Sequence, residues 1–173
     1  LRLAVAEGTP ARLGAQLDAG ALDLAVIAQP GGFPARWTAA PLYGERFVVA
    51  LPPGHRLAAR RAVRLRDMDG LDYVSRASCE FAPHIDALLA ERGIDLNVVF
   101  ESEREEWVQT MIVSGAGIAC MPEHSPMLPG LVVRPMTEPD VVREIALVSP
   151  AGRPLSPAAQ TFAKAIKAHD WAL

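Results

Sequence analysis

The stretch EGTPARLGAQLDAGALDLAVIA, from Glu7 to Ala28, predicts a capped helix followed at once by a strand. Thr9 suits the N-cap, where a side-chain oxygen accepts a backbone N–H, and Pro10 suits the first helical position. Gly20 is placed to end the helix. The run from Leu22 to Ile27 is short and mostly apolar, which is typical of a strand buried on both faces.

Other segments extend this pattern along the chain. Leu1, Leu3 and Val5 alternate with other residues and predict a first strand ahead of the helix. Strand-like and helix-like segments then alternate almost throughout, so the sequence predicts an α/β fold. Parallel sheets bind ligands at the carboxyl ends of their strands, and polar residues after predicted strands are therefore the first functional candidates.

The composition narrows the classes of function. With 173 residues, half of them hydrophobic, the chain can build one domain or two small lobes. Its net charge of −3 argues against this chain itself wrapping nucleic acid. Two cysteines, Cys79 and Cys120, do not make a disulfide framework, which favours a cytoplasmic location. The sequence shows no membrane-spanning apolar run, no metal-ligand spacing and no cofactor motif, so no membrane, metal or cofactor is expected.

A family resemblance begins at the same helix and strand. It continues, in order, through Pro41–Tyr43, Leu51–Ala58, Leu65–Met68, Val113–Pro122 and Arg143–Val148. These segments are spread along most of the chain, and in this order they resemble the effector-binding domain of LysR-type transcriptional regulators.

The resemblance implies a two-lobe fold of the periplasmic-binding-protein type 2 class, in which each lobe is a mostly parallel sheet with flanking helices. Lobe one would comprise residues 1–44 and 144–173, lobe two would comprise residues 45–143, and two crossover strands would join them beside a ligand cleft. The family's winged helix-turn-helix DNA-binding domain is absent from this chain, as are the first strand and helix of lobe one. The missing strand would leave backbone groups beside Leu1 to Ala6 unpaired, so we expect a covering partner chain or a weakened first lobe.

The function implied is that of an effector-binding and oligomerisation domain, not of an enzyme. A small molecule, with an anion as the favoured class, would bind in the inter-lobe cleft and change the angle between the lobes. The implied partners are this effector, further copies of the chain in a dimer or tetramer, and DNA through the missing N-terminal domain.

Five residues besides Cys79 are candidates for effector binding: Thr9, Ser78, Ser102, Glu103 and Arg143. Thr9 is first of all a helix cap, but in the family a hydroxyl residue here faces the cleft, and the two roles are compatible. Ser102 has the spacing of a capping box with Glu105. Arg143 interrupts an apolar strand, and the sequence supports a salt bridge and a carboxylate contact equally.

Cys79 has the most specific sequence context of the candidate residues. It lies between a predicted strand end and a helix N-terminus, close to Arg76, and both features lower the pKa of a thiol. Peroxide-sensing members of the LysR family carry their reactive cysteine in the corresponding loop, and their supporting threonine and arginine have counterparts here. However, Ser78 stands in place of the family's histidine, and no second cysteine follows in residues 81–92. An ordinary pocket-lining or structural cysteine is therefore favoured over a redox role.

Three other functions stay open. A redox sensor with Cys79 as the reacting group would share the fold, and so would a free-standing solute-binding protein, which needs an export signal. An enzyme is opposed by the absence of a base and nucleophile in sequence proximity and of any hydrolase, Walker or zinc-protease motif.

Overall fold

The computed structural model describes residues 2–77 and 79–171, and it confirms the α/β class. The helices are α1 (Pro10–Asp18), α2 (Ala82–Glu91), α3 (Glu105–Val113) and α4 (Pro157–Ala168). The strands are β1 (Ala25–Ile27), β2 (Trp37–Leu51), β3 (Val63–Arg64), β4 (Asp72–Arg76), β5 (Asn97–Ser102), β6 (Ala119–Pro122), β7 (Val132–Thr137) and β8 (Val142–Pro150). Two short 3₁₀ helices span Arg56–Ala59 and Leu65–Met68.

The chain forms two compact units. Unit 1 is Leu1–Gly44 with Arg143–Leu173, and unit 2 is Glu45–Val142. Both divisions fall inside a strand, so β2 and β8 each have residues in both units. The sequence places Arg143 in the second lobe, whereas in the structure it belongs to unit 1.

Helix α1 of unit 1 begins and ends as the sequence predicts. The Thr9 Oγ1 accepts the N–H of Arg12 at 3.3 Å, which is the contact of an N-cap. Gly20, with a φ of 75°, takes the left-handed turn that follows the helix. Local sequence signals therefore determine both ends of this helix.

The packing of α1 depends on a close approach between Gly14 and Trp37. A Cβ atom added to Gly14 would lie 2.4 Å from the Trp37 ring, so the indole occupies the space that any larger residue would need. The Trp37 Nε1–H donates to the Asp18 carboxylate at 2.6 Å, which fixes the ring against the last turn of the helix. Leu17 is fully buried in the same core cluster.

Two strand predictions for unit 1 require correction. No strand forms in residues 2–9, where Leu3 and Val5 are 58% and 80% exposed. Alternating side chains do not make a strand unless a neighbouring strand supplies hydrogen-bond partners. Strand β1 does form, but it pairs antiparallel with β8 and leaves Val26 45% exposed, so it is not buried on both faces in a parallel sheet.

Unit 2 is built around the second part of β2. This strand pairs antiparallel with β6 and with β7, and β7 pairs in parallel with β3. A parallel bridge between Tyr73 and Ile118 brings β4 beside the start of β6. The approach is close, because a Cβ atom on Gly117 would lie 2.7 Å from the carbonyl oxygen of Asp72. Glycine at this position therefore allows the two backbones to meet.

The start of α3 differs from the capping box predicted for Ser102. The helix begins at Glu105, after Arg104, whose side chain makes no cap. Ser102 ends β5 instead, and its Oγ accepts the N–H of Arg104 at 3.0 Å. The Glu105 carboxylate binds Arg76. The prediction is wrong because the pairing of β5 with β4 holds Ser102 in a strand, and local spacing does not reveal that pairing.

We predict that Gly14→Ala destabilises the protein, although alanine is the better helix former. Overpacking against Trp37 costs about 1–3 kcal/mol of stability. The higher helix propensity of alanine contributes at most about 1 kcal/mol. Urea unfolding followed by circular dichroism measures the difference. The exposed Ala11 provides a control on the same helix, where Ala11→Gly loses only about 0.5–1 kcal/mol through propensity. A Gly14→Ala protein as stable as the original would contradict the packing described.

Candidate functional site

The carboxyl ends of β4 and β5 lie side by side in unit 2, because the two strands pair in parallel with Arg76 opposite Ser102. The N–H of Ala77 donates to the Ser102 carbonyl at 3.1 Å, and the N–H of Cys79 donates to the Arg76 carbonyl at 3.1 Å. Helix α3 starts close by with Glu105. We call Arg76, Cys79, Ser102 and Glu105 the β4–β5 polar edge.

The Arg76 guanidinium is the central group of this edge. Its Nε and Nη2 both lie against the Glu105 carboxylate, at 2.8 Å and 2.7 Å, and its side chain is only 17% exposed. Its third nitrogen, Nη1, is buried and has no hydrogen-bond partner within residues 2–77 and 79–171. A buried donor without an acceptor costs about 1–3 kcal/mol. An acceptor oxygen that reaches this nitrogen when neighbouring atoms move would therefore be bound favourably.

A buried amide holds Glu105 in place. Gln109, one turn along α3 and 3% exposed, donates to the other Glu105 oxygen at 3.0 Å and to the Ser125 carbonyl at 2.8 Å. Its own carbonyl accepts the N–H groups of Met127 and Leu128 at 3.0 Å and 2.9 Å. The direction of the Arg76 guanidinium is therefore fixed by a hydrogen-bonded network that reaches from β4 to the loop after β6.

The surroundings of the polar edge are acidic. Residues 101–106 contain four glutamates, and the Ser75 hydroxyl donates to the Glu101 carboxylate at 3.3 Å. These carboxylates do not make a metal site, since no group of three or more potential metal ligands comes together among the residues that the structure describes. Glu105 offsets the positive charge of Arg76. The polar edge therefore has an oriented hydrogen-bond donor but little net positive charge.

The structure distributes the predicted site residues over both units. Cys79 and Ser102 are both next to Arg76 at the polar edge of unit 2, Cys79 through a backbone hydrogen bond and Ser102 through strand pairing, and Glu103 follows Ser102 directly. Thr9 is exposed at the start of α1 and Arg143 is partly exposed in β8, both in unit 1. Ser78 lies outside the described residues. The effector-binding roles of all these residues stay predictions.

Cys120 lies in the apolar core of the protein. It is 4% exposed in β6, its Sγ lies 3.7 Å from the Met136 Sδ, and its N–H donates to the Tyr73 hydroxyl at 3.2 Å. Burial raises the pKa of the Cys120 thiol to about 12, which leaves almost no thiolate at neutral pH. Cys79, by contrast, is partly exposed, and no disulfide joins the two cysteines.

Arg76 is the residue of this edge whose importance the sequence did not reveal. The sequence identifies it only as a neighbour of Cys79, whereas the structure gives it the buried and unpaired donor. One signal was present, because an arginine directly after a predicted apolar strand and before a helix stands where parallel sheets bind ligands. Its burial, however, depends on β5 and α3, which are distant in sequence.

Comparison with known proteins identifies the family. The family model for the LysR substrate binding domain matches residues 1–171. This chain belongs to that family. It is 27% identical over 175 residues to the hydrogen peroxide-inducible genes activator of Dickeya chrysanthemi, in an alignment that covers 98% of this chain and 57% of that protein. The chain thus spans about half the length of the curated relatives that it matches.

Solved LysR domains share the fold and confirm the periplasmic-binding-protein type 2 class. The C-terminal domain of a probable LysR family regulator from Rhodococcus sp. RHA1 matches with a TM-score of 0.82 and 23% identity, over 94% of this chain and 82% of that chain. The effector binding domain of QuiR, solved in complex with shikimate, matches with a TM-score of 0.78 and 24% identity, over 92% of this chain and 77% of that chain.

The family is one of ligand-binding domains in transcription regulators and is not an enzyme class. Among the described helices, none has the length and apolar character that a bilayer crossing requires.

Proposed function

We propose that this LysR domain senses a small molecule that places an acceptor oxygen against Arg76 at the β4–β5 polar edge. The observation that carries this proposal is the buried Nη1, which has no acceptor in the described chain. A carboxylate is the favoured group, because guanidinium–carboxylate hydrogen bonds are short and strong. The acidic surroundings favour a small acid whose remaining groups are uncharged, since a second negative charge would meet Glu101 or Glu105.

The remaining predicted residues complete the proposed site. Ser102 and Glu103 are offered by the same edge, and Thr9 and Arg143 would contact the effector from unit 1, in the inter-lobe cleft that the family resemblance implies. An effector held by both units would change the angle between them, because a ligand shifts a protein toward the conformation that it binds best. In the longer regulator we propose that this change reaches DNA-binding helices through a dimer or tetramer in the cytoplasm.

A second candidate function is the sensing of peroxide by Cys79. It is favoured by the name of the Dickeya relative and by the partial exposure of Cys79, whose N–H donates to the Arg76 carbonyl. In this reaction the Cys79 thiolate attacks one oxygen of hydrogen peroxide, the O–O bond breaks, and hydroxide leaves as the sulfur becomes a sulfenic acid. Cys120 is a poor resolving thiol because it is buried and stays protonated.

We predict that Arg76→Lys weakens binding of a carboxylate effector by roughly 10- to 100-fold, since a hydrogen bond to a charged group contributes about 1.5–3 kcal/mol. Isothermal titration calorimetry with a panel of small carboxylic acids that includes shikimate measures the affinity. Arg92→Lys is the matched control, because Arg92 lies at the end of α2 and pairs with Glu91. Equal affinity in the original and Arg76→Lys proteins, or no binding of any acid in the panel, would count against the proposal.

We predict for the peroxide alternative that a brief exposure to hydrogen peroxide followed by dimedone labels Cys79 and leaves Cys120 unlabelled. Peptide mass spectrometry measures both positions in one sample, and Cys79→Ser provides the blank. The expected contrast follows because Cys79 is partly exposed and Cys120 is buried. Unmodified Cys79 after this treatment removes the alternative and leaves effector binding untouched.

A further inference from the structure

Unit 2 carries a basic surface in a chain that is acidic as a whole. Residues 56–66 hold five of the 17 arginine and lysine side chains and no aspartate or glutamate, whereas the net charge of the chain is −3. This segment includes the first 3₁₀ helix, β3 and the start of the second 3₁₀ helix. A sixth arginine comes from β7. We call these side chains the arginine surface: Arg56, Arg60, Arg61, Arg64, Arg66 and Arg134.

Hydrogen bonds and ion pairs hold part of the arginine surface in place. The Arg134 guanidinium donates from Nε to the Arg60 carbonyl and from Nη2 to the Ala58 carbonyl, each at 2.6 Å. Arg60 and Arg64 both bind the Asp67 carboxylate, at 2.9 Å and 3.0 Å. The hydrogen bond from the Arg64 guanidinium lowers the pKa of Asp67 to about 2, so this carboxylate stays charged. One carboxylate thus orders two arginines and leaves the surface positive.

The other arginines of the surface extend into solvent. Arg56 and Arg61 are exposed. Arg66 lies 3.7 Å from the Glu138 carboxylate, and the two side chains are 63% and 60% exposed. An ion pair as long and as exposed as this one contributes little to stability, so an incoming anion can replace Glu138 readily.

The apolar side chains of the same segment are buried beneath the arginines. Leu57, Val63 and Leu65 are fully buried, and the remaining residues between the arginines are alanines. A protein partner usually contacts an apolar or aromatic centre, which this surface does not offer. Phosphate groups require positive charge and N–H donors, and the planar guanidinium supplies both. The chemistry therefore favours a phosphate backbone over a polypeptide.

We propose that the arginine surface contacts the phosphate backbone of double-stranded DNA without reading its sequence. The net charge of −3 opposes wrapping of DNA around the domain. However, salt screens charges beyond about 8–10 Å, so a few phosphates at this surface experience mainly the arginines. The domain belongs to a family of transcription regulators. In the longer regulator, whose connection to DNA is part of the proposed function, a bound duplex would be present at high effective concentration.

The salt dependence of DNA binding by residues 1–173 tests the proposal. Fluorescence anisotropy of a labelled duplex of mixed sequence, about two helical turns long, measures the affinity. For three phosphate contacts the affinity should fall roughly 40-fold between about 50 and 200 mM NaCl. No binding at the lower salt concentration, or binding that does not depend on salt, would overturn the proposal. Binding of small acids is a separate measurement, so its failure would leave this result unaffected.

Replacement of three exposed arginines tests where the DNA binds. The variant Arg56→Gln/Arg61→Gln/Arg66→Gln keeps the ion pairs of Asp67 and should retain its Tm. At low salt it should bind DNA at least about tenfold more weakly and should lose most of the salt dependence, because each phosphate contact contributes to both.

A control variant carries the same change of net charge in unit 1. It is Arg12→Gln/Lys164→Gln/Lys167→Gln, and all three of its positions are exposed. We expect its DNA affinity to change less than about twofold at low salt. Equal losses of affinity in the two triple variants would mean that overall charge alone attracts DNA, and would overturn the assignment to the arginine surface.

Polyglutamate tests the other class of partner, an acidic polypeptide. It is labelled and titrated with residues 1–173 at the same low salt concentration, with the number of charges matched to the duplex. Weaker binding of polyglutamate than of DNA supports the phosphate backbone. Tighter binding of polyglutamate that the Arg56→Gln/Arg61→Gln/Arg66→Gln variant loses would assign the surface to an acidic protein and would overturn the DNA proposal.

Discussion

The pairing of Arg76 with Glu105 determines the geometry of the candidate site. It joins the carboxyl end of β4 to the first turn of α3, and Gln109 extends the connection to the loop after β6. Two of the three guanidinium nitrogens are used in this way, which orients the third. A side chain restrained by both strand pairing and a buried network loses little entropy when a ligand arrives, and preorganisation of this kind contributes directly to affinity.

Two buried side-chain atoms, the Arg76 Nη1 and the Gln16 Oε1, have no hydrogen-bond partner among residues 2–77 and 79–171, and they differ in chemistry. The Arg76 Nη1 is a single charged donor at the ends of parallel strands in unit 2, which suits a small acid. The Gln16 Oε1 is a neutral acceptor that lines a mainly apolar groove of unit 1.

The sequence predicted features that local chemistry determines and missed features that depend on distant pairing. Thr9, Pro10 and Gly20 bound α1 because capping and turn formation involve only neighbouring residues. The predictions of a first strand and of a parallel environment for β1 were wrong, because the side-chain pattern of a strand does not show which strand it pairs with. The prediction that Ser102 caps α3 was wrong for a related reason, because pairing with β4 holds that residue in β5. The burial of Arg76 likewise depends on β5 and α3, which are distant in sequence. The sequence analysis therefore gave more weight to Cys79 than to Arg76.

The most direct test of the account is a crystal structure of this domain with the small acid that binds it most tightly. We expect a ligand oxygen within about 2.7–3.0 Å of the Arg76 Nη1, with the Arg76–Glu105 pair unchanged. A ligand bound elsewhere, with the Arg76 Nη1 still lacking an acceptor, would contradict it.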